Sequence, residues 1–152
     1  MRRRQLIAVI ALGIAVFLVV SALLARVLSV DGAERSAVTG LVEAEARGAA
    51  GEMLAQLDGC AQDDRCRRRV DQDAISLRRP GRVSIVQIQT SSGFSLSGTL
   101  GNARVAWVSG SSLPVVQCVR VHRAGNVLSG LRVELLAITP RLKSDAVCPP
   151  RF

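Results

Sequence analysis

A chain of 152 residues with a net charge of +8 and an apolar fraction of 49% has room for one domain and a short appendage, since domains average about 100–200 residues. The positive charge comes from nineteen arginines and a single lysine, Lys143, and three of those arginines open the sequence. Tyr is absent, and beyond residue 25 only Phe94, Trp107 and Phe152 are aromatic, too few stacking platforms for a single-stranded nucleic-acid groove; no nucleic-acid partner is expected.

Residues 6–25, LIAVIALGIAVFLVVSALLA, contain no ionisable group. As a helix rising about 1.5 Å per residue, this run spans about 30 Å, the thickness of a bilayer's hydrocarbon core. Arg2, Arg3 and Arg4 stand directly before it, which by the positive-inside rule keeps the N-terminus cytoplasmic and sends the rest across. Arg26 weakens that asymmetry without reversing it. A cleavable signal peptide is the competing reading, with Val20, Ser21 and Ala22 as the cleavage site, but the run exceeds the usual 7–15 residues of such a segment. The expected organisation is a cytoplasmic tail (1–5), a transmembrane signal-anchor helix (6–25), a joint (26–32) and one extracytoplasmic domain (33–152). Cleavage near Ala22 would instead release that domain.

Within the joint, Asp31 can cap the next helix, with Glu34 three residues on in capping-box spacing. Residues 33–47 read as an amphipathic helix with Val38, Leu41 and Val42 on one face and Glu34, Glu43 and Arg47 largely elsewhere. Gly48 and Gly51 bracket a break before a short helix at 52–57 presenting Met53, Leu54 and Leu57. A third helix is expected at 63–77, where Cys66, Val70, Ala74 and Leu77 form one stripe, and Pro80 and Gly81 follow it as a stop and turn.

Strands follow at 83–90, 100–108, 114–123 and 131–139, separated by Gly- and Ser-rich segments. Val115, Gln117, Val119 and Val121 mark one face of the third strand. Leu131, Val133, Leu135 and Ala137 mark the matching face of the fourth, and Ala124, Gly125 and Asn126 form the tight turn between them. Short connections imply an antiparallel meander. The expected fold is α+β: a transmembrane helix, then about three helices on a four-stranded antiparallel sheet.

The segment AERSAVTGLVEAEARGAAGEMLAQLDG, residues 33–59, resembles the opening of nuclear-transport-factor-2-like domains, in which an amphipathic helix, a small-residue break and a short Met-Leu-x-x-Leu helix precede the sheet. That resemblance implies a curved sheet wrapping the helices into a cone. Membrane-anchored versions serve as accessory ectodomains in bacterial secretion and lipid uptake. The fold hosts enzymes, binders and scaffolds alike, so function must be argued from the site.

All four cysteines, Cys60, Cys66, Cys118 and Cys148, lie beyond the apolar run. An even count in an exported domain points to disulfides, with three connectivities open. Cys60–Cys66 with Cys118–Cys148 is preferred, which requires Cys60 to sit in a loop: on one helix the two would stand about 9 Å apart, too far to bond. Free thiols are an alternative. Zinc is disfavoured, because the close pair is C-x₅-C and the single histidine, His122, is remote.

No G-x-S-x-G elbow occurs, and ten of the twelve carboxylates precede the strands. His122 is expected on a strand beside Arg120 and Arg123, with Glu134 across the sheet placed to pair with either His122 or Arg120. The resemblance implies that enzymes of the cone fold place an acid or histidine in the cavity, often with a tyrosine, and this chain has no tyrosine. No catalytic, cofactor or metal residue is assigned. Two sets of candidate contact residues remain. Arg65, Arg67, Arg68, Arg69, Arg78 and Arg79, interrupted and partly neutralised by Asp63, Asp64, Asp71 and Asp73, read first as a solvated, salt-bridged face and otherwise as a contact for an anionic lipid surface or an acidic partner. Phe94 and Trp107 are candidates to line an apolar pocket between helices and sheet. The expected function is a non-enzymatic, membrane-anchored accessory domain of the cell envelope with a protein partner. A ligand-binding module is the alternative, and an enzyme of the cone fold a second one.

Overall fold

The computed structural model describes residues 2–90, 97–126, 130–143, 145–150 and 152. Its first element, α1, is a single 46-residue helix, Arg2–Arg47, about 69 Å long at 1.5 Å per residue. From Gln5 to Val20 every residue is exposed, with Leu6 at 63% and Phe17 at 69%. Among the described residues nothing packs on this stretch, and its hydropathy and length suffice to cross a membrane. From Val30 onward one stripe becomes buried: Val30, Glu34, Val38, Leu41, Val42 and Glu45 recur at three- and four-residue spacing.

Two expectations fail within α1. The joint at 26–32 is not a break, because Asp31 and Gly32 are helical. Asp31 caps nothing; its carboxylate pairs with the Arg123 guanidinium. Glu34 does not lie away from the core but is fully buried on the apolar stripe. Arg123 explains both results, since its Nε and Nη2 donate to the Glu34 carboxylate at 2.9 and 2.7 Å. A buried carboxylate is tolerable when a guanidinium faces it with two hydrogen bonds. The same contact holds the helix to the sheet across Gly32.

Gly48 ends α1 with φ 73°. The Ala49 amide donates to the Ala44 carbonyl and the Gly48 amide to that of Glu45, the paired bonds of a Schellman cap, which needs a left-handed residue at this position. Helix α2 (Ala50–Gln56) buries Met53, and a 3-10 turn at Cys60–Gln62 follows. Helix α3 (Asp64–Ser76) is capped by Asp63, whose carboxylate accepts from the Arg65 and Cys66 amides at 2.7 and 3.3 Å. Those two amides hold the Asp63 carboxyl below its usual range.

Strands β1 (Val83–Gln89), β2 (Ser97–Ser109), β3 (Val115–Asn126) and β4 (Gly130–Ile138) form an antiparallel sheet in sequence order. The fold class is therefore α+β, as expected. The helices cover one face, and Trp107, fully buried, belongs to the core between them and the sheet, with Val38, Leu41, Met53, Val105, Val119 and Leu135. A bulge corrects the expected pattern of the fourth strand. Val121 pairs with Leu135, but Arg120 pairs with Ala137 and Val119 with Ile138. The extra residue, Leu136, changes the parity, so Ile138 rather than Ala137 enters the core. The turn expected at 124–126 is strand to Asn126; residues 127–129 lie outside the described residues.

Both disulfides join the preferred partners. Cys60–Cys66 has Cα atoms 5.3 Å apart and Cys118–Cys148 has them 5.7 Å apart. Cys60 sits in the 3-10 turn rather than on α3, which makes the first bond geometrically feasible. The second bond fastens the C-terminal tail across the outer face of the sheet. There Asn102 Nδ2, Arg104 Nε and Arg120 Nη2 donate to the carbonyls of Pro149, Ala146 and Pro150.

Candidate functional site

The basic cluster divides when α3 forms. Consecutive helical residues point about 100° apart, whereas residues four apart share a side. Arg65 and Arg69 accordingly face one groove along β4, while Arg67 pairs with Asp64 and Arg68 is exposed outside that groove. Arg79 is drawn into the turn after α3, its Nη1 donating to the Ser76 and Arg78 carbonyls. The exposed Arg78 contributes its carbonyl to that turn.

The groove holds about 560 Å³ and runs between α3 and the outer edge of β4. Asp63, Arg65, Cys66 and Arg69 form one wall, Leu136, Ala137, Ile138 and Pro140 the floor, and Arg120 and Phe152 the other wall. The Arg120 guanidinium carbon lies 5.7 Å from the centre of the Phe152 ring, within range of a cation–π contact. Three guanidinium groups thus border an apolar floor. The single carboxylate there, Asp63, already accepts two backbone hydrogen bonds. Arg120 and Phe152 are the members that the sequence did not single out. They belong to a strand and to the tail, and only the sheet register and the Cys118–Cys148 bond bring them beside α3.

A second polar constellation lies in the core. Trp107 Nε1 donates to Gln117 Oε1 at 2.9 Å, and Gln117 Nε2 donates to Glu45 Oε1 at 2.7 Å and to the Thr139 carbonyl at 3.1 Å. Burial pushes the Glu45 carboxyl up to about 8, against the lowering effect of the Gln117 hydrogen bond and with a further push from Asp73. Burial also raises Asp73, to about 6, with Arg69 pulling it back. Glu45 Oε2 and Asp73 Oδ2 are buried without a hydrogen-bond partner among the described residues. A proton on Glu45 lowers the cost of this arrangement, because two buried carboxylates need not both be charged. Glu45 has no exposed surface, which makes this acid a member of the core polar network rather than of a solvent-facing site. A carboxylate three and four residues beyond Val42 and Leu41 was the sequence signal for it.

His122 and Glu134 pair across β3 and β4, Nδ1 to Oε2 at 2.9 Å, on the partly exposed face. Among the described residues no group of three or more His, Cys, Asp or Glu is placed to hold a metal ion. Of the two candidate pocket residues, Trp107 is sealed in the core and Phe94 lies outside the described residues. Comparison with protein-family models, with curated proteins and with solved structures found no match in any of the three.

Proposed function

We propose that this chain is a non-enzymatic, single-pass ectodomain of the cell envelope, with its N-terminus inside and its domain outside, which docks on a protein partner. One observation carries the reading: the membrane-length apolar helix continues without interruption into the buried stripe of the domain. The domain is thereby held at a set height and orientation above the bilayer, which suits a docking element better than a freely diffusing catalyst. Three arginines before the apolar segment favour a cytoplasmic N-terminus. Two disulfides agree with an oxidising compartment. The helices-against-sheet layout agrees with the nuclear-transport-factor-2-like resemblance, whose anchored members are accessory domains.

A photo-reactive amino acid placed in turn at Arg65, Val86 and Leu113, all exposed, tests the docking in native membranes. A defined adduct with one other protein, recovered from at least one position, is the expected result. Recovery of uncrosslinked chain from all three would contradict the proposal.

A further inference from the structure

The β4 edge is left unfinished. β4 is an edge strand, and its outer side begins a new pairing: Leu57 forms a parallel bridge to Leu135, and the Asp58 amide donates to the Leu135 carbonyl at 2.7 Å. Beyond Leu135 no further backbone partner occupies that edge among the described residues. The α3–β4 groove opens at this point, with Leu136, Ala137 and Ile138 along its floor. A strand laid here would extend the sheet and satisfy backbone groups that the fold leaves to solvent.

Charge and spacing say what such a strand carries. Arg65 and Arg69 stand about 6 Å apart along α3, four residues at 1.5 Å each. In an extended chain, residues two apart point to the same side and lie about 6.6 Å apart. Acidic residues at alternate positions therefore match the two arginines one to one. The residue between them points to the opposite face, where Phe152 and Arg120 form the other wall. The groove along 136–140 accommodates about five residues of extended chain at about 3.3 Å each.

Height excludes the membrane that carries the anchor. Glu34 of α1 meets Arg123 of β3, and Glu45 meets Gln117. The helix and the strand thus run alongside each other in opposite directions. Glu34 stands about 14 Å beyond the end of the apolar run, and Arg120 lies about 10 Å further along β3. The groove is then roughly 24 Å above the hydrocarbon, whereas headgroups reach only about 5–8 Å beyond it.

We infer that the α3–β4 groove binds an extended acidic segment of a protein partner, with the pattern acid–apolar–acid, which adds as a strand to the edge of β4. This rests on the docking function proposed above and assigns its contact site. The probe is a fluorescein-labelled peptide with a Glu-Val-Glu-Val-Glu core, titrated by anisotropy onto the full-length protein in nanodiscs of neutral lipid. Saturable binding is expected, weakened at least tenfold by Gln-Val-Gln-Val-Gln, by the same residues rearranged with the acids adjacent, or by the double variant Arg65→Gln/Arg69→Gln. The variant must keep both disulfides and an unchanged melting temperature. Absence of saturable binding would overturn the inference, as would equal binding by the double variant or preference for vesicles of anionic lipid. In native membranes, photo-crosslinking from Leu136 as well as Val86 and Leu113 separates the two claims. An adduct from Leu136 supports the groove. Adducts from the other positions alone would remove the groove and leave docking intact, and none from any position would remove both.

Discussion

Glu45 keeps its proton at neutral pH because folding strips its water and sets Asp73 nearby. The consequence is a stability that depends on pH with a definite sign. In the unfolded chain this carboxyl ionises near 4.5, whereas in the folded protein it holds its proton up to about 8. Between those values the folded state binds more protons, so stability falls as pH rises and levels off above about 8. Asp73, raised to about 6, adds a slope of the same sign at lower pH. Glu45→Gln should therefore flatten the decline between pH 6 and 8, a decline on the order of 1 kcal/mol per pH unit, and be the more stable protein at pH 8. Urea unfolding followed by the emission of Trp107, the sole tryptophan, measures both curves; identical slopes would contradict the burial account. Arg123 gives a second expectation at this scale. Arg123→Ala leaves the Glu34 carboxylate in the core without its guanidinium and should cost about 3 kcal/mol in the same unfolding measurement. Neither effect was evident from composition. Glu34 and Glu45 share the spacing of Val38, Leu41 and Val42, but hydropathy patterning assigns carboxylates to the wet face, and their partners Arg123 and Gln117 are remote in sequence.

Among the elements, those set by local signals were readable beforehand. Asp63 before α3, Gly48 after α1 and the alternating β-branched residues of β3 each act within a few positions, and the structure follows them. The Gly48 cap can be tested directly. A Cβ there would lie 3.0 Å from the Ala74 carbonyl oxygen in a left-handed backbone, so Gly48→Ala should destabilise by more than about 1 kcal/mol; a variant as stable as the parent would argue against the cap. Elements set by distant contacts were misread. Asp31 and Gly32 carry the local chemistry of a helix start, yet the helix runs through them because Arg123 reaches across from β3. The bulge at Leu136 likewise has no local marker, since it follows from matching β4 to both β3 and the core. The groove inherits this difficulty: Arg65 and Arg69 are visible as a helical pair, but the floor and Arg120 depend on that bulge and on the strand register.

For the whole molecule, continuity of α1 is the mechanical fact with the widest consequence. Val30 is already buried, five residues past the apolar run, so little free chain separates that run from the domain. Inserting two glycines after Ser29 should leave the melting temperature of the domain within a few degrees while releasing its orientation. Spin labels at Ala22 and Leu113, both exposed, would then change from a narrow to a broad distance distribution. An unchanged narrow distribution would mean that the helix does not set the domain's position.

The central claim, a folded domain carried outside the membrane on its own uncleaved helix, has one direct test. A cysteine introduced at Leu113, exposed and at the far end of the domain, is challenged in intact cells with a membrane-impermeant maleimide, and the labelled chain is weighed by mass spectrometry. The native cysteines are paired and do not compete. The account predicts labelling without permeabilisation, on a chain that retains residues 6–25 and sediments with the membrane. Labelling only after the membrane is opened, or on a chain shortened near Ala22, would contradict it.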